Sequence, residues 1–418
     1  MTHPSQAVDR LLPITERERH TLLDVLRGFA LFGVLLANLG VVITAAAAPS
    51  ELQALHPQAF QKAAGAVLRV LVAGKFVFIF SLLFGLGLAV QMERAAARGR
   101  TLSVLYLRRL GILLLIGLAH AVVLWWGDIL AVYAVLGLVL FRFRFLEDRT
   151  LLGLSAFLLY VPPTLVAARR GLMALLGGES SPGTDFSVLH GLEAAGYLEV
   201  AAAQREMYLA FYTSPFALSN GSYALGAFLV GYVVGRRRLL QEAEKYLDHY
   251  RLIFRWCLPF GIFCSSFGAL SIYFPMPATS PWAMVRLLPI NIGSVTLSAA
   301  YISAVVLCFQ HPAGQRWLNP LASVGRTALS NYLMQSVLYL LLVTGVGLSL
   351  GGRLGPLAAF PIAAAFFLLQ IVWSHVWLKF FRFGPAEWLW RSLAYGQRQP
   401  LRSAGGTTQS SEKISSEE

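Results

Sequence analysis

The sequence predicts an all-α, polytopic integral membrane protein with about ten transmembrane helices and both termini in the cytoplasm. Of its 418 residues, 56% are hydrophobic and only 13% are charged, whereas about 25% are charged in a typical soluble domain. The mean hydropathy is +0.62, and the apolar residues are gathered into separate long stretches. This composition excludes a soluble enzyme, a disordered chain and a small disulfide scaffold.

Ten apolar stretches are candidates for spans, because a helix needs about 20 residues to cross a bilayer. The fourth is short, and it forms a predicted tight hairpin with the third around Gly127. The predicted spans are residues 22–44, 66–91, 105–126, 128–143, 150–168, 214–235, 252–274, 284–309, 327–350 and 356–381.

The basic residues set the orientation of these spans. Most of the 34 lysines and arginines fall in the segments that are cytoplasmic if both termini are inside, as the positive-inside rule requires. The domains are then a cytoplasmic segment at 1–21, one transmembrane domain at 22–395 with an outer loop at about 169–213, and a disordered cytoplasmic tail at 396–418. The net charge of +13 is interpreted as facing anionic membrane lipids, with no nucleic-acid partner.

Polar residues inside the spans are the candidate functional groups, because ionisable side chains are costly in a bilayer. In the first span, Asp24 and Arg27 are three residues apart and close enough to pair. Asn38 shares a face with Arg27, eleven residues further on. A structural ion pair with a packing asparagine and a substrate-binding face explain this pattern equally well.

The strongest candidate for catalysis is His120 in the third span, followed closely by Asp128. A histidine held in one tautomer by a carboxylate can act as a general base or relay a proton. The alternative is a structural histidine at a helix end, flanked by two interfacial tryptophans. Arg109 lies on the same helix face as His120, at the inner end of the span.

Lys75, just inside the second span, is predicted either to snorkel toward water or to neutralise Asp128 or an anionic substrate. In the ninth span, Thr327, Asn331 and Gln335 form a polar stripe that Arg326 precedes. Hydrogen bonds between helices and a ligand path both explain such a stripe. The sequence contains no Walker A loop, no dinucleotide-binding glycine pattern, no GxSxG and no pattern of metal ligands.

Several motifs resemble those of the YeiB-like bacterial inner-membrane proteins, a family that has a domain of unknown function. They are LDVLRGFALFG at 23–33, KF at 75–76, FSLLFG at 80–85, GLAH at 117–120, GDIL at 127–130, GRTALSNYLMQS at 325–336 and GPAEWLWR at 384–391. The resemblance covers the chain up to about residue 396. It implies a multi-pass protein of the bacterial inner membrane, and members have been described loosely as possible transport proteins.

The first motif also resembles the transmembrane acyltransferase superfamily, which includes heparan-glucosaminide acetyltransferase and the acyltransferase-three proteins. This resemblance implies transfer of an acyl group from cytoplasmic acyl-CoA to a hydroxyl or amine on a sugar, lipid or metabolite. Asn38 stands where the acyltransferase-three proteins have a catalytic histidine, so the base must come from elsewhere. We predict that His120 is this base and that Asp128 orients it.

Acyl-CoA is then a co-substrate, and no cofactor or metal is permanently bound. Its phosphates are expected near Arg27, Arg109 and Arg326, and Lys75 or Asn38 is expected to stabilise the oxyanion. The partners are membrane lipids, a small-molecule, lipid or glycan acceptor, and a second copy of the chain in a homodimer. Two alternatives remain: a proton-coupled transporter or lipid-handling protein that uses the same residues, and a membrane scaffold without turnover.

Overall fold

The computed structural model describes residues 20–45, 58–97, 103–176, 192, 194–274 and 285–402. Within these ranges the fold is helical, and the single bridge between Phe381 and Arg402 belongs to no strand. The fourteen α-helices are α1 (Thr21–Ala45), α2 (Gln58–Val67), α3 (Lys75–Ala97), α4 (Ser103–Val123), α5 (Leu130–Phe143), α6 (Asp148–Leu175), α7 (Tyr197–Thr213), α8 (Pro215–Arg236), α9 (Leu247–Tyr273), α10 (Leu287–Phe309), α11 (Pro312–Arg326), α12 (Ala328–Val343), α13 (Ala359–Phe380) and α14 (Pro385–Tyr395).

The helices match the predicted spans in order and type. Eight helical segments of the described chain are long and apolar enough to cross a membrane, with α2 and α3 joined into one segment. The two shorter apolar helices, α5 and α12, correspond to the fourth and ninth predicted spans. The prediction of an all-α polytopic membrane protein is therefore confirmed.

Helix α1 lies at the centre of the bundle. It packs against α3, α10, α11, α12 and α13, and most of its side chains are buried. A helix that is apolar on nearly every face is stable where other helices surround it. The few polar groups of α1 consequently face protein rather than lipid.

Several helical boundaries differ from the sequence prediction by five residues or more, and two of the differences add helical structure before a predicted span. The second predicted span starts earlier, because α2 continues through a π-helical turn at Leu68–Val72 before the chain turns at Gly74 and enters α3. Residues 312–326, which were predicted to be a connection between spans, form the amphipathic helix α11. This helix begins with a proline at its first turn, which suits a helix start, and it packs along α1.

The segment predicted to be a disordered tail, 396–418, is described as far as residue 402. Residues 396–402 fold back, and the backbone N–H of Arg382 donates to the Leu401 carbonyl at 2.9 Å. The indole N–H of Trp388 donates to the Gln399 carbonyl at 2.8 Å. A polar composition alone predicted disorder and could not reveal these long-range acceptors. The rest of the tail, residues 1–19 of the N-terminal segment and residues 177–191 of the outer loop lie outside the described residues.

Helices α3 and α8 approach each other at two glycines. A Cβ atom on Gly231 would lie 1.8 Å from the Leu82 carbonyl oxygen, and one on Gly85 would lie 2.0 Å from the Phe228 carbonyl oxygen. Small residues at such a crossing allow the backbones to come close in a membrane protein.

We expect Gly231→Ala to destabilise the protein by about 1–3 kcal/mol, because the added methyl group must push two backbones apart. Gly221→Ala on the same helix is the matched control, since a Cβ there meets nothing within 4 Å. The measurement is thermal unfolding in detergent, followed by size-exclusion chromatography. Equal unfolding temperatures for the two variants would contradict the close crossing.

Candidate functional site

His120 connects a carboxylate to a hydroxyl inside the bundle. Its Nδ1 lies 2.8 Å from Asp128 Oδ1, and its Nε2 lies 2.7 Å from Ser336 Oγ. His120 comes from α4, Asp128 from the loop between α4 and α5, and Ser336 from α12. All three side chains are buried. We name this hydrogen-bonded chain of Ser336, His120 and Asp128 the polar triad.

The loop that carries Asp128 is fixed from several sides. Asp128 Oδ2 accepts a hydrogen bond of 2.7 Å from the backbone N–H of Ala131, in the first turn of α5. The Tyr212 hydroxyl donates to the Asp128 carbonyl. The backbone N–H of Trp126 donates to Gln204 Oε1 at 2.8 Å. Helix α7, which lies in the segment predicted to be an outer loop, therefore supports the loop that holds the carboxylate.

Gly117 permits the close approach of α4 and this loop. A Cβ atom there would lie 2.3 Å from the Ala131 nitrogen and 2.9 Å from Asp128 Oδ2. Gly117 thus allows the Asp128 carboxylate to reach the His120 imidazole within the hairpin that α4 and α5 form.

A cavity of about 310 Å³ lies near the polar triad. It is bordered by the first turns of α1, by α3, by the first half of α4 and by α5, α12 and α14. This volume is at the lower end of the range for small-molecule sites, roughly 300–1,000 Å³. Its walls are largely apolar, with Leu83, Phe84, Leu113 and Leu130 among the lining side chains.

The cavity has a basic rim. Five arginines line it, with two acids, Asp24 and Glu387; the arginines are Arg27, Arg94, Arg109, Arg326 and Arg391. Burial, with the nearby Arg94 and Arg238, lowers the pKa of His20, which also lines the cavity, and so favours its neutral form. The rim is therefore suited to an anionic ligand. In the described part of the chain, no cluster of three metal-ligating side chains occurs.

Three contacts fix two of the five rim arginines. Arg27 donates to Asp24 Oδ1 at 2.7 Å, the pair that the sequence spacing predicted. The Arg109 guanidinium lies 4.6 Å from the centre of the Trp390 ring, and the Trp390 indole N–H donates to the Arg109 carbonyl at 2.8 Å. These contacts join α4 to α14 beside the cavity.

Tyr332 lies between the cavity and the polar triad. It lines the cavity, and its ring centre is 5.2 Å from that of His120. Its hydroxyl is 3.4 Å from the Ile129 nitrogen and 3.5 Å from the Gly127 carbonyl oxygen. Both distances are at the long limit of a hydrogen bond, so the hydroxyl is held weakly.

The polar stripe of α12 contacts α13 instead of the cavity. Asn331 Nδ2 lies 2.9 Å from Ser374 Oγ, and Gln335 Nε2 lies 3.1 Å from Gln370 Oε1. Gln370 in turn donates to the Asn331 carbonyl at 2.9 Å. Neither Asn331 nor Gln335 is among the cavity-lining residues. Hydrogen bonding between helices accounts for the side-chain nitrogens of both residues.

The two residues predicted to stabilise an oxyanion lie apart from each other. Lys75 is fully buried, and its Nζ donates to the Arg69 carbonyl at 3.0 Å, so it neither snorkels to water nor pairs with Asp128. Asn38 lies against the Tyr339 hydroxyl, on α12 beyond Ser336. The structure thus brings Asp24, Arg27, Arg109 and Arg326 to one cavity and places His120 and Asp128 next to it.

Three residues of the site escaped the sequence analysis. Ser336 and Tyr332 belong to a motif that was noted, but serine and tyrosine are common in apolar helices. Glu387 accepts hydrogen bonds from the Leu329 and Ser330 backbone nitrogens at 2.6 and 3.1 Å. A carboxylate suits this position because a helix N-terminus carries partial positive charge and unpaired N–H groups. The sequence gives no signal for this acid, because Thr327 is a common type of N-cap residue and only the structure shows that it makes no side-chain cap hydrogen bond.

Comparison with known proteins gives relatives over nearly the whole chain. The family described as "Protein of unknown function (DUF418)" matches residues 234–397. Uncharacterized protein YxaH of Bacillus subtilis (strain 168) is 32% identical over 94% of this chain and 98% of its own length. Uncharacterized protein YeiB of Escherichia coli (strain K12) is 28% identical over 93% of this chain and 98% of its own length. No solved structure matches the chain.

The buried Glu387 predicts a dependence of stability on pH. Burial raises its pKa above the ordinary value of a glutamate, although its hydrogen bonds act in the opposite direction. A raised folded-state pKa contributes stability that is fully present below the unfolded pKa of about 4.3. That contribution is lost as the pH rises through the folded-state pKa.

We therefore expect the unfolding temperature of the wild type, relative to Glu387→Gln, to fall as the pH is raised from about 4.3. Thermal unfolding in detergent over a series of pH values measures this difference. Glu244→Gln, which changes an exposed glutamate, is the control. A constant difference between the wild type and Glu387→Gln would show that the carboxyl pKa is not raised.

Proposed function

This chain belongs to the YeiB-like family of membrane proteins, and we propose that it is a transmembrane acyltransferase of the bacterial inner membrane. It transfers an acyl group from cytoplasmic acyl-CoA to a hydroxyl or amine acceptor on a sugar, lipid or metabolite. The observation that carries the proposal is a cavity with a basic rim and apolar walls that ends beside His120.

The cavity matches the two chemical parts of an acyl-CoA. Arginine guanidinium groups bind phosphate oxygens with paired, charge-assisted hydrogen bonds, and the rim carries five of them. Apolar walls bind an acyl chain because its burial removes hydrocarbon from water. The positive-inside rule places a rim of this composition on the cytoplasmic side, where acyl-CoA is present.

His120 supplies the proton transfer that the reaction needs. A carboxylate can only accept hydrogen bonds, so an ionised Asp128 holds the proton of a neutral imidazole on Nδ1 and leaves Nε2 as the base. Nε2 takes a proton from the hydroxyl or amine that acts as the nucleophile, and the oxygen or nitrogen of that nucleophile bonds to the thioester carbonyl carbon. The carbon–sulfur bond then breaks, and the departing thiolate takes the proton from His120.

We expect His120→Ala to lower the rate of thiol release from acyl-CoA by about 10²–10⁴-fold, the usual contribution of a general base. The assay uses purified protein in native lipid extract, with acetyl-CoA and a long-chain acyl-CoA as donors. His249→Ala, which replaces an exposed histidine, is the control. An unchanged rate in His120→Ala would rule out this mechanism.

The rim arginines should act on binding rather than on the chemical step. We expect Arg326→Gln to raise KM for acyl-CoA about 10-fold or more, because one hydrogen bond to a charged group contributes roughly 1.5–3 kcal/mol. Arg316→Gln is the matched control, since Arg316 is exposed near the start of the same helix, α11. Steady-state thiol release gives both constants. An equal KM in the two variants would show that the cavity is not the acyl-CoA site.

A further inference from the structure

We propose that Ser336 is the nucleophile of this enzyme and carries the acyl group as a serine ester between donor and acceptor. The inference rests on the proposed function, since the thioester is the acyl donor. It adds a covalent intermediate and a catalytic residue to that function.

The polar triad has the connectivity of a hydroxyl nucleophile, an imidazole base and an orienting carboxylate. The distances are 2.7 Å from Ser336 Oγ to His120 Nε2 and 2.8 Å from His120 Nδ1 to Asp128 Oδ1. Such a constellation is recognised by geometry and roles and recurs on unrelated folds. Here its members lie on two helices and a loop that the bundle brings together.

The Ser336 hydroxyl is not directed mainly at a backbone carbonyl, as several other buried hydroxyls in this protein are. In an apolar helix such a group usually bonds to a backbone carbonyl, as Thr344 does with Leu340 at 2.7 Å and Ser155 does with Gly226 at 2.8 Å. The carbonyl oxygen of Tyr332, four residues before Ser336, is 3.4 Å from Ser336 Oγ. The hydroxyl is therefore directed at the imidazole, its much closer acceptor.

The two chemical steps balance. In the first, His120 Nε2 takes the Ser336 proton, Oγ bonds to the thioester carbonyl carbon, the carbon–sulfur bond breaks, and the thiolate leaves with the proton. In the second, His120 takes a proton from the acceptor hydroxyl or amine, which attacks the serine ester. Oγ leaves and regains the proton from His120, so that the enzyme is restored.

Access to Ser336 runs past Tyr332. Both residues lie on α12 and are four residues apart, so they are neighbours on one helix face. Ser336 is fully buried, whereas Tyr332 lines the cavity. For an acyl group in the cavity to reach the Ser336 hydroxyl, the buried Tyr332 side chain, whose hydroxyl makes only long hydrogen bonds, must rotate.

A candidate donor for the developing oxyanion lies in the loop that carries Asp128, between α4 and α5. The Trp125 indole N–H is buried and has no hydrogen-bond partner among the described residues. Its ring lies 5.4 Å from that of Tyr339, which is three residues beyond Ser336 on α12. An unpaired N–H group in a dry environment is the type of donor that stabilises such a charge.

The test traps the acyl-enzyme. Wild-type protein in detergent, free of native lipid and other acceptors, is mixed with a long-chain acyl-CoA, quenched in acid, and analysed by intact mass and peptide mapping. We expect one acyl group on Ser336 and a burst of one thiol per protein. Both should be absent from Ser336→Ala, strongly slowed in His120→Ala, and retained in the control Ser303→Ala, which changes another buried serine. Ser336→Cys should carry a thioester that neutral hydroxylamine cleaves.

A second reagent tests the nucleophile without acyl-CoA. An alkyl fluorophosphonate should phosphonylate Ser336 with loss of fluoride, and the reaction should depend on His120. If thiol release persists in Ser336→Ala and no adduct forms on Ser336 of the wild type, Ser336 is not the nucleophile. The proposed acyl transfer is then retained without a serine ester. If the fluorophosphonate labels Ser336 but no acyl-CoA releases thiol, Ser336 is a nucleophile and acyl-CoA is not the acyl donor. If neither labelling of Ser336 nor thiol release is observed, both the nucleophile and the acyl-transfer function are overturned. Mapping of the adduct on the wild type gives the answer even if Ser336→Ala does not fold.

Discussion

The site depends on one buried carboxylate, Asp128, whose charge must be satisfied inside an apolar bundle. An ionised group in such a place is stable only with charged or hydrogen-bonding partners. Its two side-chain oxygens are met by the His120 imidazole and the Ala131 backbone N–H. Because these partners belong to α4 and α5, the carboxylate sets the geometry of the hairpin. It also fixes the imidazole tautomer that faces Ser336.

The same logic separates two kinds of polar contact in this protein. Asn331 and Gln335 donate hydrogen bonds to α13. These bonds join two helices in a membrane, where apolar packing alone gives little preference for one helix pairing over another. The triad and the arginine rim differ, because their polar atoms are gathered around a cavity and not between two helix faces. Both groups of contacts contain buried polar side chains. The presence of a cavity beside them, and not their polarity, therefore distinguishes a candidate site from a structural hydrogen bond.

Local patterns in the sequence predicted the spans and the close pairs. Asp24 and Arg27 are separated by three residues, and His120 and Asp128 flank one turn, so short-range spacing was enough to suggest each contact. Ser336 lies 216 residues from His120, and Glu387 lies 58 residues from Leu329. No periodicity encodes such contacts, because they arise only when separate helices pack. The stripe on α12 illustrates the same limit: its face was predictable, but the partner on that face was not.

The two short helices, α5 and α12, explain why the site forms at this place. With 14 and 16 residues, they rise about 21 and 24 Å, less than the roughly 30 Å of a bilayer core. One end of each helix must therefore be joined to irregular backbone within the apolar layer, and such backbone is tolerated only where protein surrounds it or a cavity adjoins it. Asp128 lies just before α5, and the Glu387-capped start of α12 borders the cavity. The starts of these two helices are thus the buried backbone ends around which the polar groups are collected, and the short fourth apolar stretch in the sequence is an early sign of the site.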